Sequence, residues 1–265
     1  MNEGIGSSIE RLEDDRYLRG LGRFVADIAL SSILEVSYVR SSKAHAAIEK
    51  ISWPSSCQGR VFVAADLGDV KPIIADSTLP GFKSAPFPIL GDTKVRYVGE
   101  TVAMCIGDNR AQAEDIAAQV SVNYRPLLVV SGVQDALANR SQVHDQWGDN
   151  INHHSEIGSP FEIDTAIVVE RHFTTARHCM VPMECRGVVA DWNAGKQQLT
   201  VYTSTQVPHL IRRALAECFD LRQQQVRVVA PDVGGGFGLK LVLQPEEVSV
   251  CWLSMQLRRP VRWIE

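Results

Sequence analysis

Apolar runs along the first third of the chain predict strands separated by loops. The strand patterns lie at residues 33–40, 61–64 and 96–106. The third run contains Gly99, which predicts a bulge or a close approach of another backbone. Residues 44–48 form a short pattern that favours a turn or a single helical turn. Residues 72–91 hold four prolines, a density typical of a long surface loop.

Helical spacing first occurs after the third strand pattern. Residues 111–120 place four apolar side chains on one helix face: Ala113, Ile116, Ala117 and Val120. Asp108 or Asn109 is suited to cap this helix. An alternating strand pattern follows at residues 120–124, so this part of the chain predicts a strand–helix–strand α/β unit.

The second half of the chain repeats strand and helix patterns in a different order. Strands are predicted at residues 166–170, 187–192, 199–203, 226–230 and 261–264. A strongly amphipathic helix begins at Pro208, which suits a first helical turn. A last helix at 246–257 carries Val248, Trp252 and Met255 on one face. The final strand is expected to be an unpaired edge, which would favour self-association.

The composition indicates a globular protein with two domains. Residues 139–160 are rich in Asn, Ser and Gly and predict a linker between two parts of domain size. With 45% hydrophobic and 22% charged residues and a net charge of -4, nucleic acid is not expected as a partner. No apolar run predicts a membrane span. The six cysteines are scattered, which favours a reducing compartment, the cytoplasm.

Residues 232–240, which we call the glycine loop, hold four of the 19 glycines. Adjacent glycines allow positive φ and let another molecule approach the main chain, whose N–H groups then bind oxyanions. The loop is therefore a candidate grip for a phosphate-bearing cofactor. Leu239 precedes Lys240 and so breaks both the Walker and the dinucleotide-binding spacing. A bend that only packs a strand on a helix is the alternative.

Ordered motifs along nearly the whole chain carry a family resemblance. They lie at residues 20–27, 45–46, 95–103, 111–115, 182–184, 186–190, 204–209 and 233–240. From Arg11 to Glu265 the chain resembles the molybdopterin-binding large subunit of the xanthine dehydrogenase, aldehyde oxidase and carbon monoxide dehydrogenase family. Several motifs in order are more specific than any one of them.

The resemblance implies an α+β protein. An α/β hammerhead domain is expected at residues 9–138, followed at 161–265 by the first part of a molybdenum-cofactor-binding α+β domain. The implied activity is that of an oxidoreductase acting on aldehydes, N-heterocycles or carbon monoxide, with water as the oxygen source.

The resemblance also implies cofactor-binding residues in the second half. In the family, a glutamine at the position of Gln206 points its side-chain amide at an oxo ligand of molybdenum. Phe237 and Gly238 would lie against the cofactor, and Gly235 and Gly236 would bring backbone N–H groups close to it. No protein ligand to the metal is expected, because the pterin dithiolene sulfurs hold it.

Three positions bear on the substrate side of the implied site. Purine-oxidising members carry an acidic residue directly after the lysine of the loop, where this chain has Leu241, so xanthine is not expected as a substrate. Met183 and Glu184 would shape a substrate funnel, with a turn at a strand edge as the alternative.

The implied cofactor is molybdenum–molybdopterin as a cytosine dinucleotide, with iron–sulfur and FAD groups on partner subunits. Expected partners are an iron–sulfur subunit, an FAD subunit, the C-terminal half of the large subunit if that is split, and a small-molecule substrate. Family members continue beyond the point matching Glu265, and that part carries the catalytic base glutamate. No catalytic residue is therefore expected in this chain, which alone would be inactive.

Two other functions remain open at this stage. The chain would be a non-catalytic binding or assembly module if it were a truncated product or one half of a split subunit. A free-standing nucleotide binder that uses the glycine loop is the third option.

Overall fold

A computed structural model of the chain describes residues 4–75, 77–158, 167 and 169–265. The helices in these residues are α1 (Asp14–Leu18), α2 (Arg110–Ala118), α3 (Val133–Ala138), α4 (Pro208–Cys218) and α5 (Pro245–Leu257). The strands are β1 (Leu34–Arg40), β2 (Ala46–Ser52), β3 (Val61–Val63), β4 (Ile73–Ile74), β5 (Pro86–Phe87), β6 (Lys94–Val95), β7 (Thr101–Gly107), β8 (Ser121–Pro126), β9 (Gly187–Asn193), β10 (Gln198–Thr203), β11 (Val226–Val229) and β12 (Val261–Ile264). Of the strand predicted at 166–170, residues 166 and 168 lie outside the described residues, and residues 167, 169 and 170 are not in a strand.

A mixed seven-stranded sheet joins the two halves of the chain. Its order is β11-β10-β9-β12-β1-β7-β3, so four strands of the second half continue into three of the first. β12 runs parallel to β1 on one side and antiparallel to β9 on the other. The expectation that β12 is an unpaired edge was therefore wrong. Its partners lie about 70 to 230 residues away in sequence, beyond the reach of any local pattern.

The first half also contains a smaller sheet of order β6-β2-β8. Two predictions for this half were wrong. Residues 44–48 form no helical turn. They enter β2, which pairs antiparallel with β8 and β6, and this pairing overrides the low strand propensity of Ala, Glu and Lys. The strand predicted at 96–106 is shorter than expected, because residues 96–100 lie outside any strand, Gly99 has φ +93° in a turn, and β7 begins only at Thr101.

The core lies on both faces of the large sheet. On one face, Met104 and Ile106 of β7 pack in a cluster with side chains of α4 and α5. On the other face, Ala103 and Cys105 pack with Ile116 of α2. Asn109 caps α2, as predicted, since its Oδ1 accepts the N–H of Gln112 at 2.9 Å.

Helix α5 is more buried than its apolar stripe predicted. All residues from Pro245 to Ser254 are buried, including the two acidic side chains of its first turn, Glu246 and Glu247. Buried carboxylates need partners, and Glu246 accepts from Arg40 at 2.7 Å. In the described part of the chain, no helix is long and apolar enough to cross a membrane.

Candidate cofactor-binding site

The glycine loop leaves β11 with a backbone that only glycine adopts easily. Gly235 and Gly238 have φ of +102° and +87°, in the left-handed region that favours glycine. Between them, Phe237 also has a positive φ of +48°, and its side chain is 71% exposed. The N–H of Leu239 closes a turn on the carbonyl of Gly236 at 2.8 Å. The loop thus presents a large aromatic ring to its surroundings on a tightly turned backbone.

Gln206 lies directly against this loop. A Cβ added to Gly236 would stand 2.5 Å from both Cδ and Oε1 of Gln206, so only a glycine permits this approach. The side-chain Oε1 accepts the N–H of Gly238 at 3.1 Å, and the backbone N–H of Gln206 donates to the carbonyl of Lys240 at 3.0 Å. The sequence-predicted residues Gln206, Gly236 and Gly238 therefore come together.

The two polar atoms of the Gln206 side chain have different surroundings. Its Oε1 is engaged by Gly238, the residue is exposed, and the described residues offer no acceptor for Nε2. The Nε2 hydrogens are thus left to donate to a bound group or to solvent, beside the backbone of the glycine loop. An exposed amide donor without net charge is suited to an oxygen of a bound group.

The other predicted glycine has a packing role. A Cβ on Gly235 would stand 2.9 Å from the Phe237 ring and 3.0 Å from Cβ of Pro182. Gly235 therefore brings the loop close to the segment 182–184, which was one of the resemblance motifs.

A buried ion pair between Lys240 and Glu184 holds the glycine loop in place. Lys240, whose side chain is 1% exposed, donates from Nζ to Glu184 Oε2 at 3.0 Å and to the Glu184 carbonyl at 2.9 Å. It also donates to Ser204 Oγ at 2.7 Å, and Glu184 Oε2 accepts the Gly234 N–H at 2.8 Å. We call Lys240, Glu184 and Ser204 the support triad. Glu184 therefore anchors the loop, whereas Met183 beside it is 98% exposed.

The first residue of the loop is clamped by the N-terminal segment. Asp232 accepts from both Arg16 Nη1 and Arg16 Nη2, the latter at 2.6 Å, and from the Tyr17 hydroxyl at 2.9 Å. The N–H of Arg23 donates to the same carboxylate at 2.6 Å. The Arg16 guanidinium, more than the other groups, holds the pKa of Asp232 well below its usual range. We call this set of contacts the Asp232 clamp.

Glu247, in the first turn of α5, contacts the end of β10, the strand that leads to Gln206. Glu247 accepts from Thr203 Oγ1 at 2.5 Å and from the Gln244 N–H at 2.9 Å. Burial raises the pKa of Glu247 to about 7. The strand end at Thr203 is therefore tied to the first turn of α5 through a carboxyl group that titrates near neutrality.

Exposed apolar side chains flank the site residues along the chain. Leu241 is 44% exposed and Val242 61% exposed directly after Lys240, and Met183 is 98% exposed directly before Glu184. No group of three or more His, Cys, Asp or Glu in the described residues could hold a metal ion. A ligand at this surface would meet backbone and amide donors framed by apolar contacts.

Family comparisons agree with this geometry. A family model described as the molybdopterin cofactor-binding domain matches residues 143–265, and one described as aldehyde oxidase and xanthine dehydrogenase, a/b hammerhead domain, matches residues 19–128. The chain is 31% identical to the nicotine 6-hydroxylase large subunit of Paenarthrobacter nicotinovorans and 32% to the carbon monoxide dehydrogenase large chain of Hydrogenophaga pseudoflava. The chain belongs to the xanthine dehydrogenase, aldehyde oxidase and carbon monoxide dehydrogenase family.

A solved structure of the family supports the same assignment. The chain aligns with quinoline 2-oxidoreductase from Pseudomonas putida 86 at a TM-score of 0.91 and 38% identity, over 98% of this chain and 34% of that one. The two matches above cover 98% and 96% of this chain, and 33% and 34% of the relatives. The chain thus spans about a third of the length of the family members it matches. The predicted order of a hammerhead domain followed by a molybdopterin cofactor-binding domain is confirmed.

The sequence did not reveal which residues hold the glycine loop in place. The predicted cofactor residues were found through motifs, but the support triad and the Asp232 clamp were not predicted. Arg16 lies 216 residues from Asp232. The one available signal was chemical: Lys240 and Asp232 are charged residues beside strongly apolar segments, where partners are required.

Proposed function

We propose that this chain forms one wall of a molybdenum–molybdopterin site in a molybdenum hydroxylase large subunit. The activity would be oxidation of aldehydes, N-heterocycles or carbon monoxide, with water as the oxygen source. The observation that carries the proposal is the carboxamide of Gln206, held on Gly236 and Gly238 with its donor group free. This geometry suits a polar cofactor that has oxygen acceptors.

The residues of this wall have distinct roles in the proposal. The Nε2 of Gln206 donates to an oxygen of the cofactor, and Gly235 and Gly236 bring backbone N–H groups close to it. The space of their missing Cβ atoms is taken by Pro182, Phe237 and Gln206. Phe237 and Gly238 lie against it, with the exposed Phe237 ring covering an apolar part. The cofactor, when bound, supplies the redox centre. No residue of this chain is assigned as the catalytic base or as a metal ligand.

The finer points of the proposal follow from the family. We propose the cytosine dinucleotide form of the cofactor, an iron–sulfur subunit and an FAD subunit as partners, and a cytoplasmic location. Two relatives are named as a large subunit and a large chain, which supports partner subunits. All six cysteines are free thiols, which supports a reducing compartment. The division into domains at 9–138 and 161–265 belongs to the same proposal.

Molybdenum retention tests the proposed wall. The chain is purified from cells that synthesise molybdopterin, and molybdenum per protein is measured by mass spectrometry together with pterin fluorescence. Gly236→Ala should lower both at least about tenfold, because the added methyl displaces the Gln206 carboxamide. Gly132→Ala is the matched control, since its Cβ would meet nothing within 4 Å. Wild-type chain without molybdenum, or equal retention in Gly236→Ala, would overturn the proposal.

A non-catalytic binding or assembly module is the second candidate. The exposed apolar side chains beside the loop, Phe237, Leu241 and Val242, favour it, because such a surface is suited to packing against another protein surface. Co-purification with the C-terminal half of the large subunit separates the two candidates. Molybdenum retained by that pair would favour the enzyme, and a stable pair without molybdenum would favour the non-catalytic module.

A further inference from the structure

A cavity in the first half of the fold is lined by none of the residues of the glycine loop or the support triad. Its volume is about 410 Å³, within the usual range for small-molecule sites. It opens between the loop at residues 82–88 and the segment at 143–152, with Arg96 and Tyr97 at its base. None of its lining residues belongs to the support triad, the Asp232 clamp or the proposed cofactor wall.

The two walls of this cavity are tied together by hydrogen bonds. The N–H of Lys83 donates to the carbonyl of Asn152 at 2.7 Å, and its ammonium donates to Asp149 at 2.7 Å. The indole N–H of Trp147 donates to the carbonyl of Ser84 at 3.3 Å. The cavity is therefore preformed, and the charge of Lys83 is neutralised within the wall.

Aromatic rings make up much of the lining. Phe87 and Tyr97 have ring centroids 6.3 Å apart, and Trp147 lies 4.4 Å from the His144 ring. Phe82 adds a further ring. Each pair is in direct ring contact, so the lining presents aromatic faces and edges to a flat aromatic guest, which gains from stacked and edge contacts.

Arg96 supplies a planar cationic donor beside the rings, and its ion-pair partner is the buried carboxylate of Glu100, which also lines the cavity. The Arg96 side chain is 24% exposed, and its Nε is buried without a hydrogen-bond partner in the described part of the chain. Its Nη1 stands 3.8 Å from Glu100 Oε1, which is longer than a hydrogen bond. The guanidinium has several N–H groups free, in the fork geometry that matches a carboxylate.

The electrostatic surroundings of Arg96 favour an anion. Arg96 also lines a neighbouring recess of about 280 Å³ that contains Lys94 and His144. The pKa of His144 is lowered, first by burial and then by Arg96 and Lys94, the two cationic groups near this ring. Opposing charges are Asp92, which lines the recess, Asp145, which is paired with Lys94, and Glu100, whose pKa is raised by burial.

We propose that this cavity binds a small planar aromatic carboxylate, with its ring among Phe87, Tyr97 and Trp147 and its carboxylate on Arg96. The aromatic lining selects the flat ring, and the guanidinium selects the acid. The inference goes beyond the proposed cofactor function and does not depend on it.

Calorimetric titration of the full chain with 2-naphthoate tests this site, with 2-naphthamide as the uncharged probe of the same shape. We expect Arg96→Gln to weaken 2-naphthoate about tenfold or more and 2-naphthamide less than about threefold, because only the acid loses a charge-assisted pair. Arg227→Gln, at an exposed arginine of β11, is the matched control. Equal affinity of the two probes for the wild type, or an equal loss in Arg227→Gln, would overturn the proposal.

A second measurement does not depend on the folding of the Arg96 variant. The five tryptophans give five indole N–H signals in the NMR spectrum of the labelled chain. Trp147→Phe removes one and assigns it, and that signal should shift on adding 2-naphthoate to the wild type. Phe237→Ala, which removes the exposed ring of the glycine loop, should leave the shift unchanged. A shift that is lost in Phe237→Ala, or absent at Trp147, would place the probe elsewhere and refute the site.

Discussion

Removing the ammonium of Lys240 is the sharpest test of how the glycine loop is held. The side chain is 1% exposed, and its Nζ makes three contacts within 3.0 Å, to Glu184 Oε2, the Glu184 carbonyl and Ser204 Oγ. Lys240→Met keeps the unbranched side chain as far as Cε but removes the ammonium, and so leaves the Glu184 carboxylate, 13% exposed, without its counter-charge.

The expected cost follows from what Glu184 retains. Breaking a buried pair costs about 3–5 kcal/mol, and we expect about 3 kcal/mol because Glu184 keeps the donors of Gly234 and Ser204. Glu184→Gln removes the charge that Lys240 neutralises. The double variant Lys240→Met/Glu184→Gln should therefore be more stable than the sum of the single losses by about 1–2 kcal/mol.

Urea unfolding of the four members of this cycle, each as the full chain, measures these values. Lys71→Met is the matched control, because its partner Asp220 is 88% exposed and such pairs contribute less than about 1 kcal/mol. A cost for Lys240→Met no larger than that of Lys71→Met, or additive losses in the cycle, would refute the buried-pair reasoning.

Three further predictions concern the same wall. The pKa of Glu247 is raised to about 7, so its contribution to stability is fully present below pH 4.5 and is lost as pH rises through about 7. Glu247→Gln should remove about 3 kcal/mol of the difference in unfolding free energy between pH 4.5 and pH 8, and an unchanged difference would contradict this. Gly236→Ala should lower stability by about 1 kcal/mol or less in thermal unfolding, because the methyl meets only the flexible end of the exposed Gln206 side chain, and a larger loss would contradict this. Asp232, whose pKa is lowered chiefly by Arg16, contributes stability that is lost as pH falls below its ordinary range. Asp232→Asn should be less stable than the wild type at neutral pH, and its unfolding free energy should change less as pH falls. Equal changes of unfolding free energy with pH in the two proteins would exclude the clamp.

Local sequence determined much of this fold. The three- and four-residue apolar spacing after Pro208 predicted α4, and the Asn109 cap and apolar stripe predicted α2. The glycine loop was also visible locally, because φ above zero and a missing Cβ are properties of single residues. Motifs in order then identified Gln206 and Phe237 as candidate site residues and the family as a whole.

Tertiary structure alone decided how these parts meet. β12 was expected to be an unpaired edge, yet it lies between β9 and β1, since strand pairing joins backbone groups that no side-chain pattern specifies. The same holds for Asp232 with Arg16 and for Lys240 with Glu184, which pair across 216 and 56 residues. A charged side chain at the end of an apolar run requires a partner when it is buried, but the sequence does not say which one. The sequence therefore determined which backbone could form the loop, and the packed fold determined what holds it and which amide faces outward.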